Sequence, residues 1–200
     1  IAVGAGANAA VSADHVRRCL RAALATAGCV LVSTEIPAAA VAAAVEEAAG
    51  AGVLCVLNPA PVLPVVTELL RLGPIVTPND SELRDLVALL GEGGGASAAD
   101  DASMIVARSH RPVVVTQGGD GVLVVAGDLA ARRVPAPPVD VRDTTGAGDT
   151  FNGVLAARLA AGDELAVAVP VAVVAASLSV TRVGARGGMP TAAAIAAAMS

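Results

Sequence analysis

The sequence predicts an α/β fold, a mostly parallel sheet flanked by helices, on three observations. Helical and strand patterns alternate from the start of the chain. The strand candidates Val30-Leu31-Val32 and Val113-Val114-Val115 are continuous apolar runs, which suits strands covered on both faces. Polar segments, namely Ser33-Thr34-Glu35, Asn58-Pro59, Thr77-Pro78-Asn79, Thr116-Gln117-Gly118 and Asp143-Thr144, each follow a strand or extended stretch. Open α/β sheets bind their ligands in that position, outside the carboxyl ends of the strands.

A helix from about Asp14 to Thr26 leads to a strand over Cys29–Ser33, a helix over Ala38–Ala49 and a strand over Val53–Leu57, which is βαβ rhythm. A short helix near Val65–Arg71, the strand Ile75-Val76-Thr77 and a helix over Ser81–Leu90 continue it. The glycine-rich stretch Gly91–Ala96 follows a helix rather than a strand, so it reads as a helix stop and connector before the helix Ala99–Ser109. Strands Val113–Thr116 and Val122–Ala126 are joined by Gly118-Gly119-Asp120-Gly121, a composition suited to a hairpin-like reversal. From Asp149 onward the pattern is almost entirely helical. Leu165–Val180, interrupted by Pro170, falls short of the roughly 20 residues a membrane span needs and is expected as a buried helix. With 200 residues and no internal repeat or boundary, residues 1–200 read as a single domain.

Composition removes several function classes. Phe151 is the only aromatic residue, so the core must be built from alanine, valine and leucine, and no stacking platform for nucleic-acid bases exists. The thirteen basic residues are all arginine, and the absence of lysine excludes a Walker-A lysine, a kinase strand lysine and Schiff-base chemistry. A net charge of -5 without a basic stripe argues against a nucleic-acid partner, and the Arg17, Arg18 and Arg21 cluster reads as a solvated helical face. Cys19, Cys29 and Cys55 form no C-x-x-C pair and are expected as buried, reduced thiols of a cytoplasmic protein. His15 and His110 lack ligand-spaced partners and are expected on helix surfaces. Ile1-Ala2-Val3-Gly4 shows no signal-peptide pattern.

The run Asp143 to Phe151 is the most informative stretch. Gly146 and Gly148 allow close backbone approach to an anion, and a helix from about Ala147 to Leu159 would point its unpaired N–H groups there. Asp149 stands beside them as a proton acceptor. On its own the string also suits an ordinary tight turn before a helix. Asn79-x-x-Glu82 supplies a carboxylate for a magnesium-nucleotide, acting through metal-bound water, and equally reads as an Asn N-cap with its capping-box glutamate. Glu35 alone would be a solvated loop residue. Gly4-Ala5-Gly6-Ala7-Asn8-Ala9 imitates a dinucleotide fingerprint, but only three residues precede it and no acidic residue follows at the required distance.

Taken together these segments resemble the PfkB-type carbohydrate kinases, the ribokinase type in particular. Ala5 to Ala10, Leu57-Asn58-Pro59-Ala60-Pro61, Thr77 to Glu82, Val115 to Gly121 and Asp143 to Gly153 stand in that family's order and at its spacing, with Val134-Pro135-Ala136-Pro137 ahead of the last. The resemblance implies a ribokinase-like fold and an ATP-dependent sugar kinase, with D-ribose as the concrete substrate. It implies Asp149 as catalytic base and a contact of the sugar, Gly146, Ala147 and Gly148 as anion hole, and Glu35 as a second acid touching the sugar. Asn79, Thr116, Gln117, Gly118, Gly119, Asp120, Gly121, Gly148 and Val173 are the implied ATP contacts, and Glu82 the acid associated with Mg2+. A K+ ion is implied beside the anion hole, held by Asp143, Thr145, Ser179, Arg182, Gly184 and Gly188, where Gly188 stands in place of a serine the ribokinase type can offer.

Members of that type carry roughly one further hundred residues ahead of the point where this chain starts, supplying further strands, a β lid and part of the sugar grip. The expectation is therefore an amino-terminally truncated kinase domain, with open strand edges, cytoplasmic, a homodimer in its full-length form, and with neither a nucleic-acid nor a membrane partner. Two other readings stay open: a catalytically silent nucleotide-binding fragment, or a related kinase acting on fructose, a ketodeoxy sugar acid or a nucleoside.

Overall fold

In the computed structural model, residues 6–127 and 130–200 are described. The start of the glycine-rich Gly4 to Ala9 segment and the residues before it lie outside them. Strands β1 (Cys29–Ser33), β2 (Leu54–Asn58), β3 (Ile75–Val76) and β4 (Val113–Thr116) run parallel in chain order. Strands β5 (Val122–Val125) and β6 (Arg132–Val134) then complete the sheet antiparallel. Helices α1 (Ala13–Ala23), α2 (Ala38–Gly50), α3 (Val65–Leu69), α4 (Asp80–Leu89) and α5 (Ala98–Ser109) alternate with the strands. Helices α6 (Ala147–Ala160), α7 (Leu165–Ser179), α8 (Ala185–Gly188) and α9 (Ala192–Ala198) follow them. The sheet is thus mostly parallel and helix-flanked, as the apolar strand runs predict.

Side chains alternate across the pleat, so one strand feeds two cores. Val113 and Val115 pack with Val41, Leu57, Leu86 and Ile105 on one face, whereas Val114 packs with Val56, Ile75, Phe151, Leu155 and Val173 on the other. The second core sits under α6 and α7 and sets their height above the sheet. Gly28 permits the end of α6 to cross the start of β1, because a Cβ there would run into the Ala160 carbonyl.

Four local expectations are corrected. Leu31 is 42% exposed, so the β1 apolar run is fully covered on one face only, while its edge is open among the described residues, as expected. Strand β6 was not predicted, since Arg132 and Arg133 face solvent and hide the pairing with β5. Cys19 is exposed rather than buried, because α1 packs on α2 through Val16, Leu20 and Leu24 and turns Cys19 outward. The arginines of α1 are not simply solvated: Arg17 pairs with Glu46 at 3.2 Å and Arg21 with Glu47 at 3.0 Å on α2. Among the described residues no helix is long and apolar enough to cross a membrane.

Candidate active site

The site is built where α6 begins. Gly146 caps the helix with φ 81°, a left-handed conformation that suits glycine, and a Cβ there would stand 2.8 Å from the Ala185 Cβ. The Ala147 N–H donates to the Thr144 carbonyl at 3.2 Å and the Thr150 N–H to Gly146 at 2.9 Å. Among the described residues the N–H groups of Gly148 and Asp149 find no backbone acceptor. Two such donors at the positive end of a helix dipole are able to receive an anion. Asp149 lies exposed in that first turn, beside the donors.

A cavity of about 380 Å³ opens from this helix start. Thr116, Gly118, Gly119 and Gly121 line it from the β4–β5 connection, Ala147, Gly148 and Phe151 from α6, and Val173, Ala176 and Ser177 from α7. Pro137, Val139 and Val141 close it along the extended segment after β6. β4 and β5 form the expected hairpin-like reversal around a short 3-10 turn, with Gly118 at φ 56° and Gly121 at φ 92°. Gly121 tolerates no side chain, since a Cβ would meet the Val134 carbonyl. Six sequence-predicted nucleotide contacts therefore meet on one cavity: Thr116, Gly118, Gly119, Gly121, Gly148 and Val173.

Other predicted contacts stand apart from its lining. Gln117 is held between neighbours, its Nε2 donating to Asp80 at 3.0 Å and its Oε1 accepting from Arg133 at 2.9 Å. Asp120 is exposed in the 3-10 turn, and Glu35 is exposed just beyond β1. Asn79 is the N-cap of α4, with Oδ1 accepting the N–H groups of Ser81 and Glu82 at 2.9 Å. Glu82 Oε2 accepts the Asn79 N–H at 2.8 Å, completing the capping box. Burial raises the Glu82 carboxyl above its ordinary pKa, although the Asn79 N–H works against that rise. Asn79 also bridges to Thr116, so the start of α4 and the turn bordering the cavity are joined.

Asp143 organises the loops around α6. Its Oδ1 accepts the Thr145 N–H at 2.9 Å and its Oδ2 the Gly184 N–H at 2.7 Å. The Gly184 N–H, then Thr145, hold this carboxyl below the usual range. Gly188 is buried against the Ser179 carbonyl, where a Cβ would collide, and the Arg182 carbonyl lies 3.7 Å from that Cβ position. The Ser179 and Arg182 carbonyls thus both lie beside Gly188, and the segment as it lies has no room for the serine hydroxyl that the resemblance would put there. Among the described residues no cluster of three His, Cys, Asp or Glu is placed to hold a metal ion.

Two buried residues inside the quoted motifs carry a contact that the sequence does not show. Thr77 and Asn152 are joined at 2.6 Å beneath the site. A polar residue on an otherwise apolar helix face, as Asn152 is with Leu155, Ala156 and Leu159 at helical spacing, is the signal that marks it.

The match to known proteins runs along the whole cavity and both loops. Residues 1–192 match the family described as pfkB family carbohydrate kinase. The ribokinase of Haemophilus influenzae is 36% identical over 197 residues, covering 96% of this chain and 61% of that protein. The ribokinase of Bacillus subtilis is 36% identical over 162 residues, covering 81% of this chain and 52% of that protein. Among solved structures, the ribokinase of Thermotoga maritima superposes with a TM-score of 0.84 at 28% identity, covering 99% of this chain and 64% of that one. The ribokinase of Arabidopsis thaliana, solved with ribose and ATP, gives 0.80 at 26% identity with 99% and 64% covered. This chain therefore spans less than two thirds of the relatives it matches. By the match of its sequence over residues 1–192, with a fold that superposes on these structures, the chain belongs to the pfkB family of carbohydrate kinases.

Proposed function

We propose that this chain forms the nucleotide-binding and proton-accepting part of an ATP-dependent sugar kinase of the ribokinase type. The reaction is D-ribose plus ATP giving D-ribose 5-phosphate and ADP. The observation that carries this reading is the convergence of Thr116, Gly118, Gly119, Gly121, Gly148 and Val173 on one cavity whose end is the open helix start at Gly148 and Asp149.

The adenine lies against Val173, Val139 and Val141, and the phosphates run past Gly118 to Gly121 toward α6. Glycines along that path let the backbone approach phosphate oxygens, which a lysine-free chain needs. The free N–H groups of Gly148 and Asp149 hold the oxygens of the migrating phosphoryl group as charge develops on them. Asp149 takes the proton of the sugar hydroxyl, and the oxygen so activated attacks the γ-phosphorus in line with the departing ADP. Glu35 binds the sugar from the end of β1.

Glu82, with Asn79 fixing its orientation, would be the residue that serves Mg2+ bound with ATP, which would supply screening of the phosphate charge. Burial raises the Glu82 pKa, and a divalent ion beside it would favour its ionised form. K+ beside the anion hole would be held by carbonyl oxygens of the Thr145, Ser179, Arg182, Gly184 and Gly188 loops together with Asp143, without a hydroxyl from position 188. A homodimer and a cytoplasmic setting go with this reading.

Calorimetry with MgATP and then ribose, followed by a coupled ADP-release assay, tests it. Binding of both ligands with ribose-dependent ADP release is the expected result. ATP binding without ribose binding or turnover would leave a silent nucleotide-binding unit instead, and turnover with fructose or a nucleoside but not ribose would change the substrate.

A further inference from the structure

The Thr77 hydroxyl donates to Asn152 Oδ1 at 2.6 Å, and Asn152 Nδ2 donates to the Gly148 carbonyl at 3.0 Å. Both side chains are buried, Thr77 1% and Asn152 4% exposed, in an interior otherwise made mostly of aliphatic groups. Burying polar groups is costly unless they are paired, and an aliphatic pair of similar size would fill the space without that demand. The pair gives direction where apolar contacts give none. Among the described residues it is the one side-chain hydrogen bond that ties α6 to the sheet.

Thr77 is a firm anchor. Its N–H donates to the Leu57 carbonyl at 3.0 Å, and its own carbonyl accepts Asn58 Nδ2 at 3.0 Å. Two residues further on, Asn79 starts α4 and bridges to Thr116. At the other end, Asn152 grips the carbonyl of Gly148, in the turn that carries the free N–H groups and Asp149. The chain Asn58–Thr77–Asn152–Gly148 thus fixes the rotation of the first turn of α6 relative to the Asn79–Glu82 segment. A side-chain tip lies about 5–6 Å from a helix axis, so a turn of roughly 10° would move the Asp149 carboxylate by about 1 Å. A misplacement of that size is enough to lower a rate by about 10²-fold.

The geometry points to Asn152 as a positioning residue that acts through Thr77 to aim Asp149 and the Gly148 N–H at the transferring phosphoryl group. This rests on the kinase reading above for its chemical consequence, but not for its mechanical one. The clamp touches neither nucleotide nor sugar in that reading, so its loss should appear in kcat rather than in KM for MgATP.

Thr77→Val keeps the volume and removes the donor, Thr77→Ser keeps the donor, and Asn152→Leu removes the other partner. In the natural protein carrying this chain, Thr77→Val is expected to lower kcat at least about tenfold with KM for MgATP within about twofold. Thr77→Ser is expected to restore the rate. The double variant Thr77→Val/Asn152→Leu should be no slower than Asn152→Leu alone, since both remove one interaction. Amide exchange over residues 144–152 should quicken in Thr77→Val and return in Thr77→Ser, while β2 and β4 keep their protection. An unchanged kcat in Thr77→Val, or additive losses in the double variant, would overturn the assignment. If the unaltered protein phosphorylates nothing, the kinase reading fails by itself, and exchange then decides the clamp: unquickened exchange in Thr77→Val overturns it.

Discussion

Asp143 and Gly184 lie 41 positions apart and are joined by a 2.7 Å hydrogen bond from the Gly184 N–H to the Asp143 carboxylate. The bond stitches the loop ahead of α6 to the loop beyond α7. Those loops flank the helix start that carries the candidate anion hole, so the stitch is structural support for the site. It is also pH-sensitive, because two backbone donors stabilise the charged form of Asp143.

A carboxylate whose folded pKa is depressed contributes stability above its unfolded pKa, near 3.9 for Asp, and loses it as pH falls through the lower folded value. Asp143→Asn turns one acceptor into a donor facing an N–H. The variant is therefore expected to melt at a lower temperature than the unaltered protein at pH 7, and the gap should narrow below about pH 4. Thermal melts from pH 7 downward check this. A gap that stays constant with pH would show that the charge of Asp143 is not what holds the loops.

Asp149→Asn removes the proposed base while leaving the Gly148 and Asp149 N–H groups in place. Turnover should fall by about 10²–10⁴-fold, with the affinity for MgATP within a few-fold of the original. Titration calorimetry beside steady-state rates separates the two effects. Retained turnover would remove Asp149 from the mechanism, and lost ATP binding would mean that the carboxylate supports the cavity instead.

How far the sequence reaches is visible in particular residues. The strands of the parallel half and helices α2, α4 and α5 are legible within a residue or two, because periodicity and length are local properties of the chain. Asn79 and Glu82 were readable as a capping box for the same reason, and the box is present. Strand β6 was not, since the arginines at its start suggest a loop and only the partner strand β5 makes it a strand. The Thr77–Asn152 bond was not either, as it joins residues 75 positions apart and depends on how α6 lies on the sheet. Glycine meaning divides the same way. From sequence Gly146 reads as a close backbone approach to an anion and Gly121 as a turn residue, yet each is required by a neighbour, Ala185 and Val134, that only the fold brings near.

Gly188 supplies the next prediction. The resemblance puts a serine of the ribokinase type at this position, and supplying it by Gly188→Ser would ordinarily be expected to improve the proposed K+ site. In this fold the added Cβ would collide with the Ser179 carbonyl, a backbone atom that cannot swing aside. Overpacking of this kind costs about 1–3 kcal/mol. Gly188→Ser should therefore melt lower and gain no activation by KCl over that of the unaltered protein. Stronger KCl activation at an undiminished melting temperature would mean that the loop relaxes freely and that the carbonyl cluster is not fixed.

The thiols offer a test that this composition makes unusually clean. Cys55 is 5% exposed on β2, and burial, with the nearby Cys29 thiol adding to it, pushes its pKa up to about 12 from an ordinary 9.0. Burial likewise raises Cys29. A group whose folded pKa is raised stabilises fully below its unfolded value, and that stability is lost as pH climbs toward the folded value. Here the window is from about pH 9 to about pH 12. The slope is about 1.4 kcal/mol per pH unit for one thiol. In most proteins lysine and tyrosine titrate over the same range and obscure such a slope, but this chain has neither, and arginine stays charged throughout. Alkaline loss of stability between pH 9 and pH 11 should thus come chiefly from Cys55 and Cys29. Cys55→Val, which fills a similar space in an aliphatic core, is expected to flatten that loss in urea-unfolding series at stepped pH. Exposed Cys19 should react with a thiol reagent at neutral pH well before the protein unfolds, while Cys55 waits for unfolding. An alkaline slope unchanged in Cys55→Val, together with early labelling of Cys55, would show that β2 opens to solvent while the rest of the sheet stands.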